Sequence, residues 1–199
     1  MKIISFEGFE YTGKSTQILL LKKYFLKNNI KSTFTREPGG NKQLEKIRKI
    51  VLQSDFDNLS LILFFFASRF SLLSSMKSRG LVVFDRFFDS TYAYQKITSN
   101  DKLLILNLIN QIEKKFIPTI TFYFKINKKT LLDRKKTRGD KNFFDKKYAS
   151  HFARIQKNYD EIGKMKIGKR KFITIDASKP KDIVHKEIVE NLKKCNLIK

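Results

Sequence analysis

A three-layer α/β fold, with a parallel sheet of five strands between layers of helices, is what the sequence predicts. Three observations predict it. Strand-like and helix-like segments alternate along all 199 residues, with no repeat, linker or low-complexity stretch between them. The junction of the first strand and first helix carries Gly8-Phe9-Glu10-Tyr11-Thr12-Gly13-Lys14-Ser15, of the form G-x-x-x-x-G-K-S. Leu81-Val82-Val83-Phe84 is continuously apolar, as a strand covered by helices on both faces must be.

In chain order, Lys2 to Phe6 is a short β-type run that ends at Glu7. Thr16 to Asn28, rich in Leu and Lys and free of Gly and Pro, is the first helix. Strand, loop and helix together are the setting the glycine loop requires. Gly8 and Gly13 remove side chains where the backbone curls around a phosphate, and successive amide N–H groups plus the helix N-terminus face inward. Lys14 then reaches β- and γ-phosphates, and the Ser15 hydroxyl ligates Mg²⁺.

Lys31 to Thr35 reads as the second strand, followed by Arg36-Glu37-Pro38-Gly39-Gly40, a rigid turn carrying a charge pair. Leu44, Ile47, Val51 and Leu52 recur at helical spacing. Leu59 to Phe66 is nearly all apolar and predicts a buried helix running to about Ser78. Phe65 and Arg69 share one face of it, four residues apart. An aromatic plane beside a guanidinium suits a planar ring, but by spacing alone the stronger reading is a core phenylalanine beside a snorkelling arginine.

Asp85-Arg86 stands at the carboxyl end of the Leu81–Phe84 strand, where open α/β sheets place ligands. Asp85 there orients Mg²⁺ and its waters, and Arg86 grips phosphate; a structural ion pair is the competing reading for Asp85. Asp101 to Phe116 has helical period, Pro118 breaks it, and Thr119 to Phe124 is the fourth strand. Thr130 to Arg138 is predicted helical and leads into Gly139-Asp140-Lys141. Arg134, Lys135, Lys136, Arg138 and Lys141 cluster there, either as a lid over about 134–146 or as a solvated face. Phe143 to Ile162 continues as helix, and Lys164 to Lys171 is a basic loop. Phe172 to Ile175 is the fifth strand, ending at Asp176-Ala177-Ser178, and Pro180 opens a final helix to Lys194.

Forty-two Lys and Arg against 19 Asp and Glu give a net charge of +23. Such an excess suits phosphorylated partners, although the lysines are scattered and most of the charge reads as composition. The lone Cys195 makes no internal disulfide, in keeping with a reducing cytoplasm. The uncharged stretch Asn58 to Ser68 falls short of the roughly 20 residues that span a bilayer, and a membrane location is not expected.

With these residues laid out, the chain resembles the thymidylate kinases over nearly its whole length. The resemblance rests on Phe6-Glu7-Gly8 through Thr16, on Arg36 to Gly40, on Phe65 to Arg69, and on Asp85-Arg86-Phe87 with Ser90, Thr91, Tyr94 and Gln95. It implies a single nucleoside-monophosphate-kinase-like P-loop domain over 1–199, with ATP and Mg²⁺ serving phosphoryl transfer to dTMP. The loop residues Gly8, Phe9, Glu10, Tyr11, Thr12, Gly13, Lys14, Ser15 and Thr16 would bind ATP, with Arg134 near the adenine. Phe65 would stack on thymine, Arg69 would bond its edge, and Arg86, helped by Arg36, would hold the monophosphate. Glu10 would meet the sugar 3′-hydroxyl, Tyr94 would crowd the 2′ position, and Pro38, Thr91 and Gln95 would complete the pocket.

The loop offers Tyr11 and Thr12 where some members carry a catalytic arginine, so the lid supplies it, Arg138 before Arg134. Tyr11 departs from the family's usual glycine, and Asp140-Lys141-Asn142-Phe143 departs from its usual lid pattern. A homodimer and a cytoplasmic location are also implied. The neighbouring reading is a kinase for another pyrimidine acceptor. A nucleic-acid-binding protein is disfavoured, since no helix-turn-helix, zinc or RNA-recognition signature accompanies the charge.

Overall fold

The computed structural model describes residues 1–77, 80–113, 115–138 and 149–199. Five strands are found among them: β1 (Lys2–Gly8), β2 (Ser32–Arg36), β3 (Leu81–Asp85), β4 (Pro118–Lys125) and β5 (Lys171–Asp176). All pair in parallel, in the order β2-β3-β1-β4-β5. The helices are α1 (Lys14–Lys27), α2 (Lys42–Gln53), α3 (Asn58–Ser75), α4 (Phe88–Gln95), α5 (Ser99–Glu113), α6 (Lys128–Arg138), α7 (Phe152–Lys164) and α8 (Lys181–Lys194).

The alternation of β1 explains the three layers. Ile4 and Phe6 pack with Leu21 and Phe25 of α1 and with Val184, Ile188 and Leu192 of α8. Ile3, with Val82 and Phe84 of β3, joins Ile62 and Phe66 of α3 and Ile105 and Ile109 of α5. Successive strand residues point to opposite faces, so each face buries its own helices. Helix α3 is long and apolar enough to cross a membrane by length and composition, but it buries Phe65, Phe66, Arg69 and Leu72 within the protein.

The strands extend one or two residues beyond the apolar runs that announce them. Gly8, Arg36, Asp85, Lys125 and Asp176 all remain in the parallel ladder. Backbone pairing, indifferent to side-chain polarity, thus carries functional residues up to the carboxyl edge of the sheet. Gly8 is confined there: its φ is 139°, and a Cβ would stand 2.5 Å from the carbonyl oxygen of Phe124.

Three helical assignments change. Helix α4 was not foreseen, because all eight of its residues are buried and they show no polar face. The long helix expected over Phe143–Ile162 instead begins at Phe152, after the 3₁₀ turn Ala149–His151; residues 143–148 lie outside the described residues. The predicted end of α3 at about Ser78 falls at Ser75 instead. Most of the expected lid, from Gly139 onward, and the side chain of Arg138 also lie outside them.

Candidate active site

The glycine loop lies between β1 and α1, as its spacing requires. Tyr11 (φ 62°) and Gly13 (φ 87°) take left-handed conformations that turn the loop back on itself. Lys14 folds across it: Nζ donates to the carbonyl oxygens of Gly8 and Phe9 at 2.8 Å each. The Thr12 hydroxyl also donates to Phe9 O, at 2.8 Å. Burial, reinforced by nearby Arg86, brings the Lys14 ammonium down to about 8. Ser15, next along, is exposed, and Thr16 is half-buried.

Beside the loop opens a cleft of about 620 Å³. Glu10, Pro38, Phe65 and Arg69 line it, as do Arg86, Thr91, Tyr94 and Gln95. Eight residues singled out from the sequence, from four separate segments, therefore meet on one concave surface. Phe65 and Arg69 do share a face, and that face is the cleft wall. Arg69 is clamped in it: Nε donates to Glu37 Oε2 at 2.6 Å and Nη2 to Thr91 Oγ1 at 3.1 Å. The guanidinium also lies over the rings of Phe66 and Phe87. Its Nη1 is buried and has no partner, which leaves one donor for a ligand.

Arg86 sits at φ 71°, a conformation uncommon for a residue with a side chain and associated with functional sites. Its backbone N–H is held by Phe6 O at 3.0 Å, and its guanidinium gathers oxygens. Nη1 donates to Gly8 O (3.1 Å), Ser90 Oγ (3.0 Å) and Tyr159 Oη (3.3 Å). Nη2 donates to the Glu10 carboxylate and to Tyr94 Oη. Tyr94 in turn donates to the second Glu10 oxygen at 2.7 Å.

Arg36 departs from expectation. It is not among the residues that line the cleft, and it forms a two-pronged pair with Glu45, at 3.0 and 2.7 Å. Asp85, half-exposed, pairs in the ladder with Phe6 on one side and Arg36 on the other. Among the described residues no group of three or more His, Cys, Asp or Glu forms a potential metal cage.

A second cleft, of about 590 Å³, opens on the other side of the loop. Tyr11, Thr12, Gly13 and Thr16 form its floor, with Arg134 of α6 and Ala177 after β5 above. Arg134 bridges the two walls, donating to Tyr11 O at 3.0 Å and to Ala177 O at 2.7 Å.

Several cleft residues were given no site role by the sequence: Glu37 and Phe87, although they belong to the quoted motifs, and Arg48 and Leu52 line the first cleft, and Lys179 and Lys181 the second. Tyr159 reaches Arg86 across 73 positions, and nothing local in the sequence announces it. Glu7 is fully buried, accepting from Phe87 N and Ser90 Oγ; burial, with Asp89 nearby, pushes its carboxyl well above the usual range.

Burial also pushes the Glu37 carboxyl up to about 7, outweighing the opposing pull of Arg69. The native state then holds a proton that the unfolded chain has released, between the ordinary 4.5 and about 7. The stability carried by this group is present below the lower value and lost as pH rises through the upper one. Thermal unfolding followed across that range will therefore fall more steeply in the wild type than in Glu37→Gln. Parallel curves for the two proteins would contradict the assignment.

Comparison with known proteins agrees with this geometry. The family described as thymidylate kinase matches residues 6–188. The thymidylate kinase of Chlorobium limicola is 34% identical, covering 96% of this chain and 94% of its own. That of Wolbachia pipientis subsp. Culex pipiens is 35% identical, covering 96% and 95%. The crystal structure of thymidylate kinase from Ehrlichia chaffeensis superposes with a TM-score of 0.72 at 28% identity, over 96% of this chain and 98% of that one. A loop flanked by two clefts, on a parallel sheet of this order, and a family match spanning nearly the whole sequence place the chain in the thymidylate kinase family.

Proposed function

We propose that the chain transfers the γ-phosphoryl group of MgATP to dTMP, giving dTDP and ADP. One observation carries the reading: Glu10 and Tyr11, neighbours in the loop, face two different clefts, so ligands in both meet at the phosphate loop. The acceptor is already an anion at neutral pH and needs no strong base. Catalysis is then positioning and charge neutralisation.

In the first cleft Phe65 stacks on thymine, and the free Nη1 of Arg69 meets a carbonyl of its edge. Arg86 holds the monophosphate, and Glu10 takes the 3′-hydroxyl. Tyr94 crowds the 2′ position, with Pro38, Thr91 and Gln95 around it. Arg36 acts from outside the lining, through its turn. In the second cleft the loop from Gly8 to Thr16 cradles the triphosphate and Arg134 covers the adenine. Lys14 exchanges its carbonyl partners for phosphate oxygens.

Ser15 and Asp85 would hold Mg²⁺, which would supply neutralisation of the charge on the transferring group. Ser15 and Asp85, one hydroxyl and one carboxylate, are a donor set suited to an ion held mostly by phosphates and water. Arg138 serves as the lid arginine. The enzyme works in the cytoplasm as a homodimer of single-domain subunits, without nucleic acid or membrane.

The test is a coupled ADP-release assay over a panel of monophosphates. dTMP is expected to react fastest, and dUMP, lacking one methyl, about tenfold more slowly or worse. Purine monophosphates should give negligible rates. A purine as the best acceptor would overturn the assignment.

A further inference from the structure

The donor side of the loop holds a buried group that none of these roles uses. Gln17 follows Thr16 on α1, is only 3% exposed, and lines the second cleft. Its Nε2 donates to the carbonyl oxygen of Lys181, the first residue of α8, at 2.7 Å. That bond fixes the orientation of the amide, because the reverse orientation would set two acceptors against each other. Oε1, on the other branch, is buried and has no donor. A buried acceptor left unmade is costly, and in a ligand cleft it asks for a donor from the ligand. The charged side chains that line this cleft are all cationic: Arg134 covers the ring, and Lys179 and Lys181 suit the phosphates rather than an amino group.

We propose that Gln17 Oε1 accepts a hydrogen bond from the exocyclic amino group of the donor's purine and so sets the preference for a 6-amino over a 6-oxo purine. The inference rests on the second cleft being the donor site. A 6-oxo purine brings a carbonyl oxygen to the same place, leaving two acceptors facing one another. A purine with nothing at that carbon simply leaves Oε1 unmet. Discrimination by an unpaired buried polar group is stronger than discrimination by shape.

The test compares ATP, GTP, ITP and purine riboside 5′-triphosphate as donors at saturating dTMP. The wild type should show kcat/KM for ATP about three- to tenfold above the unsubstituted purine, the worth of one neutral hydrogen bond. GTP and ITP should lie lower still. In Gln17→Met, close in volume, ATP should fall to the level of the unsubstituted purine, with KM for dTMP unchanged. Gln17→Leu, checked by thermal unfolding, serves if the methionine variant is poorly folded.

A variant that keeps the full preference for ATP over the unsubstituted purine overturns the inference and leaves the kinase reading standing. If no donor phosphorylates dTMP, the kinase reading itself falls. Calorimetric binding of the same four triphosphates to wild type and variant then still decides the role of Gln17: an unchanged ratio of affinities refutes it, and a ratio near one supports it.

Discussion

Replacing Lys14 by Met will lower turnover by on the order of 10³, with the fold intact, when initial rates are measured at saturating MgATP and dTMP. The side chain is 7% exposed, and its ammonium is held by two carbonyl oxygens of its own loop. Those partners are neutral, and a triphosphate oxygen arriving in the loop is a better one for a cation. Nζ then follows the negative charge as it shifts during transfer, which a thioether cannot do. The pH dependence adds a second signature. Burial lowers the Lys14 ammonium to about 8, so the charge is present below that value and lost as pH rises through it. The alkaline limb of kcat/KM, which reports the free enzyme, should fall from about pH 8 in the wild type. In Lys14→Arg it should move to higher pH. A Lys14→Met enzyme within tenfold of wild type would remove the lysine from the mechanism.

The largest loss of stability will follow Arg170→Leu. Arg170 Nη1 stands 2.7 Å from each oxygen of Asp89, and the two side chains are 2% and 0% exposed. Nη2 donates to Ile162 O at 3.1 Å, and the guanidinium lies 5.1 Å from the ring centre of Phe88 and 5.2 Å from that of Phe172. The pair thereby ties α4 to the strand edge at β5. Burial raises the Asp89 carboxyl, and Arg170 is the charge that opposes the rise. Removing the arginine leaves the buried Asp89 anion without its main partner, with only the weaker pull of Arg69 to offset burial, at a cost of about 3–5 kcal/mol. For a chain of this size that is roughly 6–20 °C in the unfolding temperature. Replacing both partners, Asp89→Leu with Arg170→Leu, should recover most of the loss. A double variant as unstable as the single one would show that the packing of Arg170, rather than its charge, is what matters.

What the sequence disclosed follows the range of the interactions. The glycine loop, the five strands and the shared face of Phe65 and Arg69 are local patterns, and all of them appear in the structure. Arg36 was given its phosphate role by the family resemblance, and in the structure Glu45, nine positions on and one helical turn into α2, pairs with it. The clamp on Arg69 depends on Glu37, 32 positions away, and the Asp89 pair on a partner 81 positions away. Such pairs leave no periodicity to read. Helix α4 was hidden for the opposite reason: buried on every side, it has no alternation of polar and apolar residues.

The carboxylate that Arg86 grasps through Nη2 has a chemical consequence for what the enzyme will admit. A simple inorganic oxyanion such as sulfate must evict Glu10 from the guanidinium and offers the displaced acid nothing in return. In the proposed binding mode a nucleotide carries both halves of the exchange, an anion for the arginine and a sugar hydroxyl for the glutamate. Fouling of the pocket by the salts of its surroundings is thereby discouraged, because entry is favourable only for a guest that trades with both sides at once.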